Sequence, residues 1–126
     1  MSAILTVLFI GALLPIFLAW VGAYYRVQQF GKFDNKHPRS QAAGLEGAGA
    51  RAVAAQQNAW EALAVFTAGV VALGLRGGDA ETATIVALVW LAARVLHAVL
   101  YLANLDALRS LVFLVSMVCS LSLFFV

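Results

Sequence analysis

The chain has 126 residues, of which 63% are hydrophobic and only 11% are charged, and its net charge is +2. A soluble domain of this length needs far more polar surface, so the composition excludes an ordinary soluble globular protein. The positive charge is too small to favour nucleic-acid binding. The single cysteine, Cys119, allows no disulfide framework or thiolate metal site, and His37 and His97 lack metal-ligand spacing, so no metal is predicted.

Four apolar segments are long enough to cross a bilayer, which takes roughly 20 residues. The predicted spanning helices cover about residues 2–25, 50–75, 80–102 and 106–126, and a polar loop covers about residues 26–49. The first segment has no charge, whereas a signal peptide would begin with a basic region, so we predict a retained helix. The sequence therefore predicts a single all-α domain over residues 1–126, a bundle of four transmembrane helices.

Two short turns separate the last three helices. In the first turn, Gly77 and Gly78 would end one helix and Asp79 would cap the next. The second turn is marked by Asn104 and Asp106. Such short connections make the three helices antiparallel neighbours. Two glycines of the second spanning segment, Gly69 and Gly74, predict close contact with neighbouring helices.

Lysine and arginine bias predicts the orientation in the membrane. The long loop, its flanks and the last turn carry most of the basic residues, and Arg76 alone lies at the opposite end. The residues of the basic side are Arg26, Lys32, Lys36, Arg39, Arg51 and Arg109. In a bacterial inner membrane this places the long loop in the cytoplasm and both termini outside.

Polar residues inside the second spanning segment form one candidate site. At 100° per residue, Arg51, Gln57, Asn58 and Glu61 fall within an arc of roughly 120°. Because ionisable groups in a span cost roughly 2.5–3.5 kcal/mol near the bilayer centre, they are functional candidates.

The third segment carries a narrower polar stripe. Trp90, Arg94, His97 and Tyr101 share an arc of about 60°. Since these two helices are antiparallel, Arg94 should lie near the level of Glu61, and we predict an ion pair between them. A purely structural role for this pair is the alternative, because a buried bridge can fix which helices pack together.

The chemistry of these groups favours an anionic or zwitterionic ligand. Guanidinium groups pair with carboxylates, and an acid beside an amide suits an amino group. A small peptide with several carboxylates fits such a site. A thiol also fits, because a nearby arginine lowers thiol pKa towards the reactive thiolate.

Three motifs in chain order carry a resemblance to a known family. They are Asp34-Asn35-Lys36-His37-Pro38-Arg39, then Arg51-Ala52 with Gln56-x-Asn58-x-x-Glu61, and Arg94-x-x-His97-x-x-x-Tyr101 followed by Arg109. Together they resemble the membrane-associated proteins in eicosanoid and glutathione metabolism (MAPEG), and the loop motif is most similar to the short bacterial branch. The resemblance covers nearly the whole chain.

The resemblance implies a homotrimer in the lipid bilayer that binds glutathione as a co-substrate between neighbouring subunits. It implies glutathione transfer to hydrophobic electrophiles, or peroxide reduction. Either Arg109 or Arg26 would stabilise the thiolate as the catalytic residue, with Arg109 favoured. The implied substrate-binding residues are Arg51, Gln57, Asn58, Glu61, Arg94, His97 and Tyr101.

Two alternative functions remain. Enzymes of this family carry an arginine four residues before the asparagine and a tyrosine-like residue after the acid, where this chain has Ala54 and Ala62. These departures favour a non-catalytic accessory subunit of a larger membrane complex. A small proton-coupled exporter ranks last, because such transporters place a carboxylate in the first helix, and the first acid here is Asp34.

Overall fold

The computed structural model describes residues 2–126, and all regular secondary structure in that range is helical. The prediction of an all-α chain is therefore confirmed. The helices are α1 (Ala3–Phe30), α2 (Pro38–Ala43), α3 (Gly47–Arg76), α4 (Ala80–Leu102) and α5 (Asp106–Ser122).

Three of these helices, α1, α3 and α4, are long and apolar enough to cross a membrane. Each exceeds the roughly 20 residues that a bilayer core requires. Helix α5 has 17 residues and ends at Ser122, four residues before the predicted end of that segment. At 1.5 Å per residue it is about 25 Å long. The structure thus supports three candidate spans where the sequence predicted four.

Two helices extend beyond their predicted bounds. Helix α1 continues past Tyr25 to Phe30, because Arg26 and the following glutamines are good helix formers even though they are polar. It ends at Gly31, whose φ of 78° is a left-handed conformation that favours glycine. Helix α3 begins at Gly47 and not near residue 50, and the predicted loop contains the short helix α2.

The turn before α4 has the predicted caps. The backbone N–H of Gly77, whose φ is 70°, donates to the Leu73 carbonyl at 3.0 Å and ends α3. The Asp79 carboxylate accepts from the Thr82 backbone N–H at 3.0 Å and begins α4. Hydrogen bonds from the Thr82 hydroxyl and backbone also hold the pKa of Asp79 below its usual value. Helix α4 has the predicted bounds, residues 80–102.

The four long helices pack into a bundle in which α1 lies against α3 and α5 lies against α4. Contacts of α4 with α1 and α3, and of α3 with α5, join these two pairs. At the centre, the buried rings of Phe66 and Trp90 stack with their centroids 3.9 Å apart. A Cβ on Gly11 would lie 2.7 Å from the Trp90 ring, so this glycine leaves the space that the indole fills.

The two glycines predicted to allow close helix contact behave differently. A Cβ on Gly69 would meet the Ser120 carbonyl oxygen at 2.6 Å, so this glycine lets α5 approach α3 closely. A Cβ on Gly74 would meet nothing within 4 Å in the described chain. The prediction is confirmed for Gly69 and wrong for Gly74, which lies on an exposed face of α3.

Outside the core, large apolar side chains point away from the bundle. They occur on every long helix, as expected for helices whose surroundings are lipid. Among the more exposed are Phe9, Phe17, Trp20, Val71, Ile85, Val99, Leu114 and Val118.

Candidate functional site

The guanidinium of Arg94 is the centre of a polar network that joins three helices. Arg94 lies on α4 and is 1% exposed. Its Nη2 donates to Asn58 Oδ1 on α3 at 2.7 Å, and its Nη1 donates to Ser116 Oγ on α5 at 3.4 Å. Because a spanning segment offers no water to a buried cation, these side-chain oxygens define how α3, α4 and α5 pack around it.

The predicted ion pair between Arg94 and Glu61 is wrong. Within residues 2–126, the only pair of side chains at salt-bridge distance is His37 and Asp34, whose Nδ1 and Oδ2 lie 3.5 Å apart. Asn58 occupies the position facing Arg94, and Glu61, one turn further along α3, is exposed. The charge of Arg94 is therefore stabilised by the neutral oxygens of Asn58 and Ser116. The Glu61 carboxylate does not contact Arg94 and can interact with a ligand or a neighbouring chain.

A row of rings leads from Arg94 to the surface. His97 is 2% exposed, and its Nδ1 lies 3.5 Å from Arg94 Nη2. Since the guanidinium can only donate, this contact assigns the acceptor role to Nδ1. The His97 and Tyr101 rings meet edge to face with centroids 5.6 Å apart, and the Arg109 guanidinium lies 4.2 Å from the Tyr101 centroid.

These groups line a cavity of about 220 Å³ between α3, α4 and α5, which we call the polar groove. It combines an amide, an imidazole, a phenol, a guanidinium and a hydroxyl with one apolar wall. Its lining residues are Asn58, His97, Tyr101, Arg109, Ser110 and Phe113. Such a set can hold a carboxylate and a peptide group while presenting a cation to a developing negative charge.

Arg51 lies beside the polar groove. Its Nε donates to the Leu102 carbonyl at 3.3 Å, one of the last carbonyls of α4, which has no partner within the helix. This bond places Arg51 at the end of α4 that carries Tyr101, the level predicted from the antiparallel arrangement. The guanidinium of Arg51, which is partly buried, retains donors for a ligand carboxylate.

Three predicted site residues lie away from the polar groove. Gln57 and Arg26 line a second cavity on the other side of α3, between α1, α2 and α3. Glu61 is exposed and lines neither cavity. A single chain therefore brings together Asn58, Arg94, His97, Tyr101 and Arg109, with Arg51 at the edge, and separates Arg26 from Arg109.

Apart from Arg109, sequence reasoning missed the contribution of α5. Ser110 and Phe113 line the polar groove, and Ser116 accepts from Arg94. The signal was present, because Arg109, Phe113, Ser116 and Ser120 recur every three or four residues and so share one helix face. The apolar character of this segment concealed that face.

The fold and site define an all-helical integral membrane protein with a buried polar network opening at one end of its bundle. A family model described as the MAPEG family matches residues 3–126, so the chain belongs to that family. The resemblance carried by the three motifs is thereby confirmed. Searches of curated proteins and of solved structures each found no match.

Proposed function

We propose that this protein is a glutathione-dependent transferase or peroxidase that acts on hydrophobic electrophiles. The observation that carries the proposal is the polar groove, in which Arg109 lies over Tyr101 beside Asn58 and His97. The MAPEG family membership supports glutathione as the ligand class. In this proposal Asn58, Glu61 and Tyr101 bind the tripeptide.

The remaining residues have distinct roles. Arg51 holds a glutathione carboxylate, while Arg94 fixes the orientation of Asn58 and His97. Arg109 stabilises the thiolate, because a guanidinium favours the charged form of a nearby thiol. Among the two candidate thiolate-stabilising residues, the contact with Tyr101 supports Arg109 over Arg26.

The reaction begins when the thiol proton passes to water. In transfer, the thiolate sulfur bonds to an electrophilic carbon, and the leaving group departs with its electron pair. In peroxide reduction, sulfur attacks one peroxide oxygen and the O–O bond breaks, giving a sulfenic acid and an alkoxide, which takes a proton from water to become the alcohol. A second glutathione then displaces water from the sulfenic acid and forms the disulfide.

We further propose that the site is completed by neighbouring copies in a homotrimer. The polar groove of about 220 Å³ lies below the range of roughly 300–1,000 Å³ typical of ligand pockets. An exposed Glu61 on α3 would cost roughly 2.5–3.5 kcal/mol if it faced lipid near the bilayer centre. A second copy against this face would enclose the carboxylate, add a wall to the groove and bring Gln57 towards a ligand.

Helix α5 acts as the fourth span in this proposal. Its packing along α4 and the apolar residues after Ser122 support this assignment. The basic residues at the end with the long loop then place that loop in the cytoplasm of a bacterial inner membrane and both termini outside. Reporter fusions that placed the long loop outside would contradict this orientation.

Calorimetry of the detergent-purified protein with millimolar glutathione tests the binding step. We expect a saturable heat of binding in the wild type. Arg51→Ala and Glu61→Gln should each lower the affinity for glutathione by about tenfold, because each removes a charge-assisted hydrogen bond. Glu81→Gln makes the same chemical change at the opposite end of the bundle and should leave binding unchanged. If the wild type gave no heat above background, the proposed glutathione-dependent activity would be refuted.

The chemical step is tested by Arg109→Gln. We expect glutathione to bind with similar affinity while the ultraviolet absorbance of its thiolate is lost. Turnover of a hydrophobic electrophile should fall by roughly 10²-fold, the cost of removing one group that stabilises developing charge. If Arg26→Gln lost the thiolate absorbance and the turnover while Arg109→Gln kept both, the catalytic role would belong to Arg26.

A second candidate function is a non-catalytic subunit of a larger membrane complex. The observation in its favour is that Ala62, where family enzymes carry a tyrosine-like residue, is 5% exposed and packed in the bundle. Native mass spectrometry after mild extraction from the original membrane distinguishes the two. A homotrimer supports the enzyme, and a stable assembly with other chains supports the subunit.

A further inference from the structure

The exposed face of α3 lies between two cavities. At 100° per residue, Gln57 is about 40° to one side of Glu61, and Asn58 is about 60° to the other side. Asn58 lines the polar groove, whereas Gln57 lines the second cavity, of about 470 Å³, between α1, α2 and α3. We call this second cavity the loop cavity. Its polar lining residues are Arg26, Arg39, Gln56 and Gln57.

A cyclic trimer would bring these two cavities together at each interface. In a closed ring, every interface pairs one surface of a copy with a different surface of the next copy. In the proposed homotrimer, a second copy covers the face of α3 around Glu61. The polar groove on one flank of α3 would then face the loop cavity on the opposite flank of the next copy, so that both cavities would enclose one ligand.

Arg39 is the exposed cation of the loop cavity. It lies in α2, and no acidic side chain within residues 2–126 is at salt-bridge distance from it. The other cation, Arg26, is 8% exposed. Its Nε donates to Gln41 Oε1 at 2.7 Å, and its Nη2 donates to the Asp34 carbonyl at 3.1 Å. Arg39 is therefore the guanidinium of this cavity that is better placed to bind a ligand from outside the chain.

The loop holds Arg39 at the end of the bundle where α3 begins. Hydrogen bonds of 2.8 and 2.9 Å from Gln41 and Gln29 to loop carbonyls fasten α2 there. Arg51 lies in the first turns of α3, at the same end. Because the copies of a trimer share one orientation in the membrane, Arg51 of one copy and Arg39 of the partner subunit would lie at the same level.

The glycyl carboxylate of glutathione is the group expected at this level. In the proposed function, Asn58 and Glu61 bind the tripeptide, and an acid beside an amide suits its amino group. About 15 Å of helix separates Glu61 from Arg51. An extended tripeptide spans roughly 10 Å, and the long side chains cover the remaining distance. With the amino group near Glu61, the glycyl carboxylate would reach Arg51.

We propose that Arg39 of the partner subunit binds the glycyl carboxylate of glutathione together with Arg51. The two oxygens of a carboxylate can accept from two guanidinium groups. The site would thereby select thiol peptides that end in a free carboxylate. This inference rests on the proposed function and on the homotrimer, and it adds a binding residue that the single chain holds away from the polar groove.

Calorimetry of the detergent-purified full chain with glutathione and with its glycyl ethyl ester tests the contact. Arg39→Gln should lower the affinity for glutathione by about tenfold, the effect of one charge-assisted hydrogen bond. It should leave the affinity for the ester unchanged, because the ester has no glycyl carboxylate, and this result would also show that the variant folds. Lys36→Gln removes the same charge from the same loop outside the loop cavity and should change neither affinity.

Mixed trimers test whether Arg39 acts across the interface. When Arg39→Gln and Arg51→Ala copies assemble together, one interface of each mixed trimer pairs an intact Arg51 with an intact Arg39. Trimers of either variant alone contain no such interface. We therefore expect co-expression of the two variants to restore one high-affinity glutathione site in each mixed trimer. If Arg39 acted within its own chain, mixing would restore none.

The outcomes separate this inference from the proposed function. Unchanged glutathione binding in Arg39→Gln would overturn the inference while wild-type binding still supported the proposed function. The absence of a restored site in mixed trimers would do the same. If the wild type did not bind glutathione, both would be overturned.

Discussion

The two most buried cations of this protein, Arg94 and Arg26, differ in how the fold holds them. Both are more than nine-tenths buried, and neither has a carboxylate partner within the described chain. Arg94 is held by side chains of three long helices, at Asn58, Ser116 and His97. Arg26 is held by groups of the connection between α1 and α3.

This difference makes the surroundings of Arg94 rigid and those of Arg26 adaptable. The partners of Arg94 lie on helices whose packing would have to change before they could move. Those of Arg26 lie on a loop fastened mainly by Gln41 and Gln29, whose side chains bond to loop backbone groups. We therefore expect changes at Arg94 to affect the whole bundle and changes at Arg26 to remain local.

The largest effect is expected for Asn58→Leu. This variant removes the closest acceptor of Arg94 and leaves a buried cation unsatisfied, which should destabilise the bundle by roughly 3 kcal/mol. Neutral hydrogen bonds between membrane helices contribute only about 0.6 kcal/mol on average, so the charge decides the size of the effect. Thermal unfolding in detergent, followed by circular dichroism, measures it.

Asn58→Asp is the matched control, because it keeps an oxygen facing Arg94. It should retain most of the stability lost in Asn58→Leu. A loss of only about 0.6 kcal/mol in Asn58→Leu would mean that Ser116 and His97 suffice to hold the guanidinium, and the two buried arginines would then be equally adaptable.

A smaller effect is expected for Gln41→Ala. Its Oε1 accepts from Arg26 and from the Asp34 backbone N–H, and its Nε2 donates to the Lys32 carbonyl at 2.8 Å. Because the loop over Arg26 is largely exposed and can open locally to admit water, the loss should be about 1 kcal/mol and confined to the loop. Hydrogen exchange should accelerate at residues 32–46 and stay unchanged in α4 and α5.

Gln28→Ala makes the same truncation at an exposed position of α1 and serves as the control. Faster hydrogen exchange throughout α4 and α5 in Gln41→Ala would contradict the distinction between a rigid bundle around Arg94 and an adaptable loop around Arg26. It would show that the loop and the bundle open together.

The smallest effect is expected from acidification. Backbone N–H groups of His37 and Lys36 donate to the Asp34 carboxylate and hold its pKa below the ordinary value near 3.8. Since the folded pKa is the lower one, the loop stability from Asp34 is present above that ordinary value and is lost as pH falls through the folded pKa. The loop should therefore loosen only below about pH 4.

A nitroxide attached at position 40 in Ser40→Cys, with Cys119→Ser, reports this loosening as increased mobility. Asp34→Asn keeps an oxygen acceptor but cannot titrate, so its spectrum should not change over the same pH range. If the mobility of the label rose equally in Asp34→Asn, another group would be responsible for the acid response.

Several features of this protein follow from the sequence because they are local. Gly77 and Asp79 define the turn before α4, and the residues that follow give a helix whose bounds are the predicted ones. The common stripe of Arg94, His97 and Tyr101 also follows, since spacing alone fixes the angular positions of residues on one helix. The motifs that carry the family resemblance are local in the same sense.

Other features were decided only by the tertiary structure. Helical spacing places Asn58 and Glu61 one turn apart, but the rotation of α3 against α4 determines which of them faces Arg94. That rotation depends on how closely the helices approach, as at Gly69 beside Ser120 and at Gly11 beside the Trp90 ring. The sequence therefore determined the faces of the helices, and packing between helices decided which faces meet, because helix rotation and separation depend on contacts between residues far apart in the chain.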